Sequence, residues 1–290
     1  MKKTICTLLL SILLFPAAFA GNPVPYSIFD KAGRPISFDD MIQSLAPADV
    51  VFFGEMHNCP ITHWLEYKTM EALFQANKGQ MNLGMEMFER DNQPLIDEFF
   101  QGVIGSDSFE DECRLWPNYS TDYEPLVSFA RENGMRLIAT NVPRHYAAIV
   151  KQHGLAYLDS LSDAAKQYFP PLPVPYRENP EAEKGFSLMA MLGNKQHANA
   201  AYIGQAQALK DATMAWVIAH NLDKKMVHVN GNYHSDANTG IITYLKEYAP
   251  KTVYKTIYTV KQEDVSKLEQ DYLGHGDFYI VVPYDMVTSY

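Results

Sequence analysis

Along almost the whole chain, short runs of apolar and β-branched residues alternate with stretches of helical spacing. Six runs predict strands, at 49–53, 82–88, 135–141, 225–230, 252–260 and 278–282. Between the first two, 62–76 is rich in Leu, Met, Glu and Ala and ends at Asn77-Lys78-Gly79, where glycine can take the left-handed cap. Residues 124–133 read as another helix, stopped by Asn133-Gly134. Over 205–221, the spacing of Leu209, Ala212, Thr213, Trp216 and Val217 gives one apolar helical face. Strand and helix in alternation predict an α/β fold, a mainly parallel sheet flanked by helices.

Two stretches interrupt this rhythm. Residues 91–123 are mostly helical with many aromatics, and 146–204 is helical and loop-like around the breaker run Phe169-Pro170-Pro171-Leu172-Pro173-Val174-Pro175. The expected organisation is an α/β domain formed by 21–145 and 205–290, with 146–204 as a smaller helical insertion or subdomain. No internal repeat is present.

The first twenty residues stand apart from that fold. Lys2 and Lys3 precede an apolar run from Ile5 to Phe15, and Ala18-Phe19-Ala20 has the small-x-small form of a secretory cleavage site. Cleavage after Ala20 is expected, giving a periplasmic or secreted mature protein. Cys6 lies early in the apolar run and not just after it, so it is no lipid-attachment cysteine.

With 47 % hydrophobic and 20 % charged residues in 290, the chain is an ordinary globular protein. Losing Lys2 and Lys3 with the signal takes the net charge from −10 to −12. Such a surface repels phosphate backbones, and no basic run offsets it, so nucleic acid is excluded as a partner. Cys59 and Cys113 remain in a compartment that permits a disulfide; a Cys59–Cys113 pair and two free thiols are both open.

In parallel α/β sheets, ligands bind beyond the carboxyl ends of the strands. There the sequence carries Gly54-Glu55-Met56-His57 after the first strand, Glu86 in the second, Asn141-Val142-Pro143-Arg144 after the third and Gly231-Asn232-Tyr233-His234 after the fourth. Glu55, His57, Glu86, Arg144 and His234 are therefore candidate catalytic residues. Any one of them alone reads equally well as a loop residue or helix cap. Glu86, between Met85 and Met87, needs a partner if buried, and Arg144 is the expected one. In each Gly-x-x-His segment, glycine would permit a tight strand exit and let the histidine face back across the crevice. His57, His234 and Glu55 would suit a divalent transition metal, or act as a general acid/base set. His57 and His63 are six apart, which excludes the i, i+4 zinc helix of metalloproteases, and neither Gly-x-Ser-x-Gly nor a P-loop occurs.

At these residues the chain resembles the ChaN-like haem-binding uptake family, a bacterial branch of the superfamily that also holds Tiki, TraB and the erythromycin esterases. The resemblance runs through Val50-Val51-Phe52-Phe53-Gly54-Glu55-Met56-His57, Gly84-Met85-Glu86-Met87-Phe88 with Gln93-Pro94-Leu95, and Tyr123-Glu124-Pro125-Leu126. It continues in Ile138-Ala139-Thr140-Asn141-Val142-Pro143-Arg144, in Gln207-Ala208-Leu209-Lys210-Asp211-Ala212-Thr213-Met214-Ala215 and in Val229-Asn230-Gly231-Asn232-Tyr233-His234. Two features depart from the family: Tyr233 stands where a small residue is usual, and the lipoprotein cysteine of many members is absent. The resemblance implies a parallel α/β sheet with a helical subdomain, and haem binding in which a tyrosine can be the axial ligand.

Haem needs an apolar slot, an axial ligand and cations for its propionates. Tyr146, His145 and Asp211 are the candidate haem-binding residues, with Tyr157, Met189, Met191 and His197 as further axial candidates; Asp211 is placed by the polar face it shares with Gln207 and Met214. The leading expectation is an exported haem-binding protein of haem or iron acquisition, with a homodimer to enclose the macrocycle and a haem-uptake receptor as partners. The alternative is a metal-dependent hydrolase, a peptidase or esterase, using the Glu/His/Arg crevice.

Overall fold

The computed structural model describes residues 23–177 and 200–290. The proposed signal, Met189, Met191 and His197 lie outside the described residues. In chain order the elements are β1 Ser27–Asp30, α1 Phe38–Leu45, β2 Val50–Glu55, α2 Pro60–Ala76, β3 Met81–Glu89, α3 Gln93–Phe100, α4 Ser106–Glu112, α5 Glu124–Glu132, β4 Leu137–Asn141, α6 Arg144–His153, α7 Asp163–Lys166, α8 Ala200–Ala219, β5 Lys225–Gly231, α9 Ile241–Tyr248, β6 Tyr254–Gln262 and β7 Phe278–Pro283. All six predicted strands form, and the predicted helices at 62–76, 124–133 and 205–221 appear as α2, α5 and α8.

The strands make one seven-stranded sheet of order β1-β7-β6-β2-β5-β3-β4, parallel except for β1. A central strand in such a sheet is buried on both faces, and β2 shows how. Val51 and Phe53 enter one core with residues of α1, α2 and α5, while Val50 and Phe52 enter a second core with residues of α6, α8 and α9. Helix starts follow local chemistry: Ser37 and Asp40 cap α1 reciprocally, and Pro60 opens α2, where a missing N–H costs nothing. Helix α2 ends before Lys78 and Gly79, both at positive φ.

Helix α8 lies between α6 and α9 against the sheet. Of its apolar stripe Leu209, Ala212, Thr213 and Val217 are buried and Trp216 is half-buried, and Gln207 and Asp211 on its polar side are buried as well. Cys59 and Cys113 are both buried free thiols, which decides against the disulfide. Among the described residues, no helix is long and apolar enough to cross a membrane.

Candidate functional site

The carboxyl ends of β2, β5, β3 and β4 lie side by side, and the parallel register puts Glu55 opposite Gly231. Glu86 follows Met85, which pairs with Val229 of β5, and its Oε2 accepts from the Gly231 N–H at 2.9 Å. Glu55, His57, Glu86 and His234 therefore meet at one rim.

His57 and Glu55 form a dyad. His57 Nδ1 donates to Glu55 Oε1 at 2.5 Å, and Tyr123 Oη donates to the same oxygen at 2.7 Å. The carboxylate is fully buried, whereas the imidazole is 37 % exposed and rests edge-on against Trp116. Burial opposes the charge on His57, but the bond to Glu55 and its charge outweigh this and raise the imidazole pKa. Burial likewise works to raise Glu55, yet His57 and His63 hold it below the ordinary value.

His234 forms the second array. Its Nε2 faces Glu86 Oε1 at 3.1 Å and its Nδ1 faces Asp211 Oδ1 at 2.5 Å, all three side chains being buried. Burial resists the imidazolium, but the two carboxylates prevail and lift His234 to about 9. Glu86 is driven up by burial and down by His234 and Lys210; the cations win and hold it far below the carboxylate range. Burial wins at Asp211, whose pKa is raised despite His234. Both nitrogens of His234 are thus engaged by carboxylates. His57, His234 and Glu55 do not converge as a ligand set; among the described residues the group of potential metal ligands within 4.8 Å of one another is Glu55, His63 and Glu66.

The glycines of the two Gly-x-x-His segments serve a purpose other than a tight strand exit. Gly231 has φ −56, open to any residue, but a Cβ there would meet the His57 ring at 2.7 Å. A Cβ on Gly54 would meet Asn232 Oδ1 at 2.7 Å. Each glycine makes room for a residue of the other segment.

Arg144 does not pair with Glu86. A register shift between Met85 and Glu89 separates the two acidic residues of β3, and Glu89 takes Arg144 through its side-chain Nε and, at 3.0 Å, its backbone N–H. Glu89 thereby caps the start of α6, where an anion is favoured, and it also accepts from Arg114 at 3.1 Å. Arg144 itself is 59 % exposed.

Beside the His234 array opens a cleft of about 370 Å³ with walls from Met87, Leu115, Trp116, Pro117 and Val142 and polar groups from Glu86, Glu89, Asn141, Arg144 and Lys210. His145 is exposed at the start of α6. Tyr146 is 9 % exposed, with its ring 5.5 Å from Phe169 and 6.2 Å from Tyr168. Burial, then Tyr168 and Asp91, raise its pKa, so the phenol is neutral in the protein alone. Tyr157 is 43 % exposed and stacks on His153.

Sequence reasoning missed His63, Glu66, Asp122 and Tyr123 behind Glu55, and Glu89, Trp116 and Lys210 around the cleft. A signal for the first group exists: Thr62, His63, Glu66 and Thr69 recur at helical spacing with Leu65, Met70 and Leu73, so the core face of α2 carries polar residues.

The family described as haem-binding uptake, Tiki superfamily, ChaN, matches this chain over residues 41–245. Among solved structures, that of cofacial haem binding to ChaN of Campylobacter jejuni is similar with a TM-score of 0.68 and 18 % identity, over 89 % of this chain and 97 % of that one. A mutant erythromycin esterase in its open conformation is similar with a TM-score of 0.45 and 14 % identity, over 90 % of this chain and 83 % of that one. The chloroplastic protein RETICULATA-RELATED 5 of Arabidopsis thaliana is 27 % identical over 135 residues, which are 44 % of this chain and 18 % of that protein. The match spans less than a fifth of that relative's length.

Proposed function

The chain belongs to the haem-binding uptake family of the Tiki superfamily, ChaN, and from this we propose that it binds haem against the cleft at the carboxyl edge of its sheet. The cleft itself carries the reading: its walls are apolar and aromatic, and Arg144 and Lys210 stand among its polar groups as partners for two propionates. His145 and Tyr146, at the start of the helix that Arg144 opens, are the proposed axial candidates. Asp211 would act at one remove, by holding His234 against Glu86. The cleft is small for a whole macrocycle, which favours a homodimer whose second copy covers the exposed face of the haem.

The proposed setting is haem or iron acquisition outside the cytoplasm, with an uptake receptor receiving the haem. Mass measurement of the exported chain tests the export step; a mature protein beginning at Gly21 is expected, and an intact Met1 would refute it. Titration with haemin, read at the Soret band, tests binding. A saturable change at micromolar protein is expected, with Tyr146→Phe shifting the band or weakening binding about tenfold, and a wild-type spectrum in both Tyr146→Phe and His145→Ala would remove these ligands.

A second reading, hydrolysis, is favoured by one observation. The His57–Glu55 dyad presents an oriented, half-exposed imidazole of the kind a general base requires. Turnover on an ester panel, abolished by His57→Asn, would support it; absence of turnover in the wild type would leave the dyad without that role.

A further inference from the structure

Beneath the His57 dyad, Glu55 at the end of β2 meets His63 and Glu66, which lie three residues apart on the buried face of α2. His63 Nδ1 is 3.1 Å from Glu66 Oε2 and 3.5 Å from Glu55 Oε2. The opposite nitrogen, Nε2, faces the His57 carbonyl at 3.2 Å and Asp122 Oδ2 at 3.4 Å. Nδ1 thus faces two carboxyl groups, and Nε2 a backbone carbonyl and a third carboxyl group. Glu55 Oε2 and Glu66 Oε1 are buried and have no hydrogen-bond partner.

We propose that Glu55, His63 and Glu66 form a binding site for one divalent first-row transition ion of the Zn²⁺ class. The spacing fits. Metal–ligand bonds of about 2.0–2.1 Å at tetrahedral angles put neighbouring ligand atoms about 3.3 Å apart, and the two separations at His63 Nδ1 fall on either side of that value. One imidazole and two carboxylates are also ligands that such ions accept.

The outer groups are already arranged for it. Asp122, fixed by Asn118 Nδ2 at 2.6 Å, orients the far side of His63, and Tyr123 and His57 hold the other oxygen of Glu55. Charge points the same way. Among the described residues no lysine or arginine is seen in an ion pair with Glu55, Glu66 or Asp122, so these buried carboxyl groups lack a side-chain counter-cation of that kind. This site is distinct from the haem cleft and does not depend on haem being bound.

The full-length mature chain, stripped with a chelator, is titrated with CoCl₂ and followed by the visible bands of four-coordinate cobalt, then with ZnCl₂ in competition. One equivalent per chain is expected, with a metal-dependent rise in melting temperature. Glu66→Gln keeps the side chain's size and removes its charge, so it should weaken the metal at least 100-fold in a protein that still melts cooperatively; His63→Gln should weaken the metal to a similar degree. His234→Asn should retain the binding. No saturable one-to-one binding, or binding that survives Glu66→Gln and is lost in His234→Asn, overturns the site. Haemin titration of Glu66→Gln should match wild type, which keeps this outcome separate from that of haem binding.

Discussion

At the scale of single residues, the rim is organised by close approach. The His57 ring occupies the space that a side chain on Gly231 would need, so the dyad and the strand end are fitted to each other. Gly231→Ala is expected to push His57 off Glu55 and to cost about 1–3 kcal/mol of stability, the usual range for overpacking. Denaturant unfolding measures the cost, and the histidine resonances in NMR report the displaced ring. A variant with wild-type stability and an unmoved His57 would show that the space is not limiting. Arg144 shows what single residues conceal. Glu86 and Glu89 both lie in one strand, and only the register shift between Met85 and Glu89 decides which of them Arg144 reaches. No spacing rule contains that shift.

At the scale of elements, two buried histidines give the sheet and its helices opposite responses to pH. His234 faces Glu86 from β3, Asp211 and Lys210 from α8, and the charge of His57. Its folded value of about 9 lies above the ordinary 6.5, so its contribution to stability is complete below pH 6.5 and lost as pH rises through 9. His228 on β5 accepts at Nε2 from Thr140 and donates at Nδ1 to Asn230. Burial, against a weaker pull from Asn230, lowers it to about 4. Between pH 6.5 and 4 the unfolded chain gains a proton that the folded chain refuses, and stability falls. His228 therefore lowers the unfolding midpoint as pH falls from 6.5 towards 4, and His234 lowers it as pH rises from 6.5 towards 9. His234→Asn should reduce the alkaline decline, part of which belongs to His57, and leave the decline towards pH 4 in place; an alkaline decline equal to wild type in this variant would assign it to other groups. Glu86 adds stability that disappears only in strong acid, since its value is depressed.

The elements also show why some of the structure could be read in advance. Strands buried on both faces need apolar residues at nearly every position, and all six such runs were visible. Strand β1 was not, because four residues pairing only with β7 at the sheet edge leave too short a pattern. The carboxyl-edge residues could be placed because parallel strands fix where their ends lie. His63 and Glu66 escaped because polar residues at helical spacing among Leu65, Met70 and Leu73 pass for a solvated edge of the helix until burial shows them turned inward.

At the scale of the whole molecule, the sheet divides the protein into two helix-covered cores, and the crevice lies where strand ends from the middle of the sheet are free of both. The dyad, the His234 array and the cleft share that edge, so a ligand in the cleft touches residues delivered by β3, β4, α6 and α8 together. Arg144 and Lys210 come from different helices on the same side of the sheet, and a bound dianionic ligand would link them.

The most direct test of haem binding at this edge is a haemin titration of the wild type beside Arg144→Ala/Lys210→Ala, read at the Soret band. Saturable micromolar binding in the wild type, weakened at least tenfold in the double variant with the fold intact, is the expected result. Equal binding by both proteins would place haem elsewhere on the molecule, and no saturable change in either would contradict haem binding altogether.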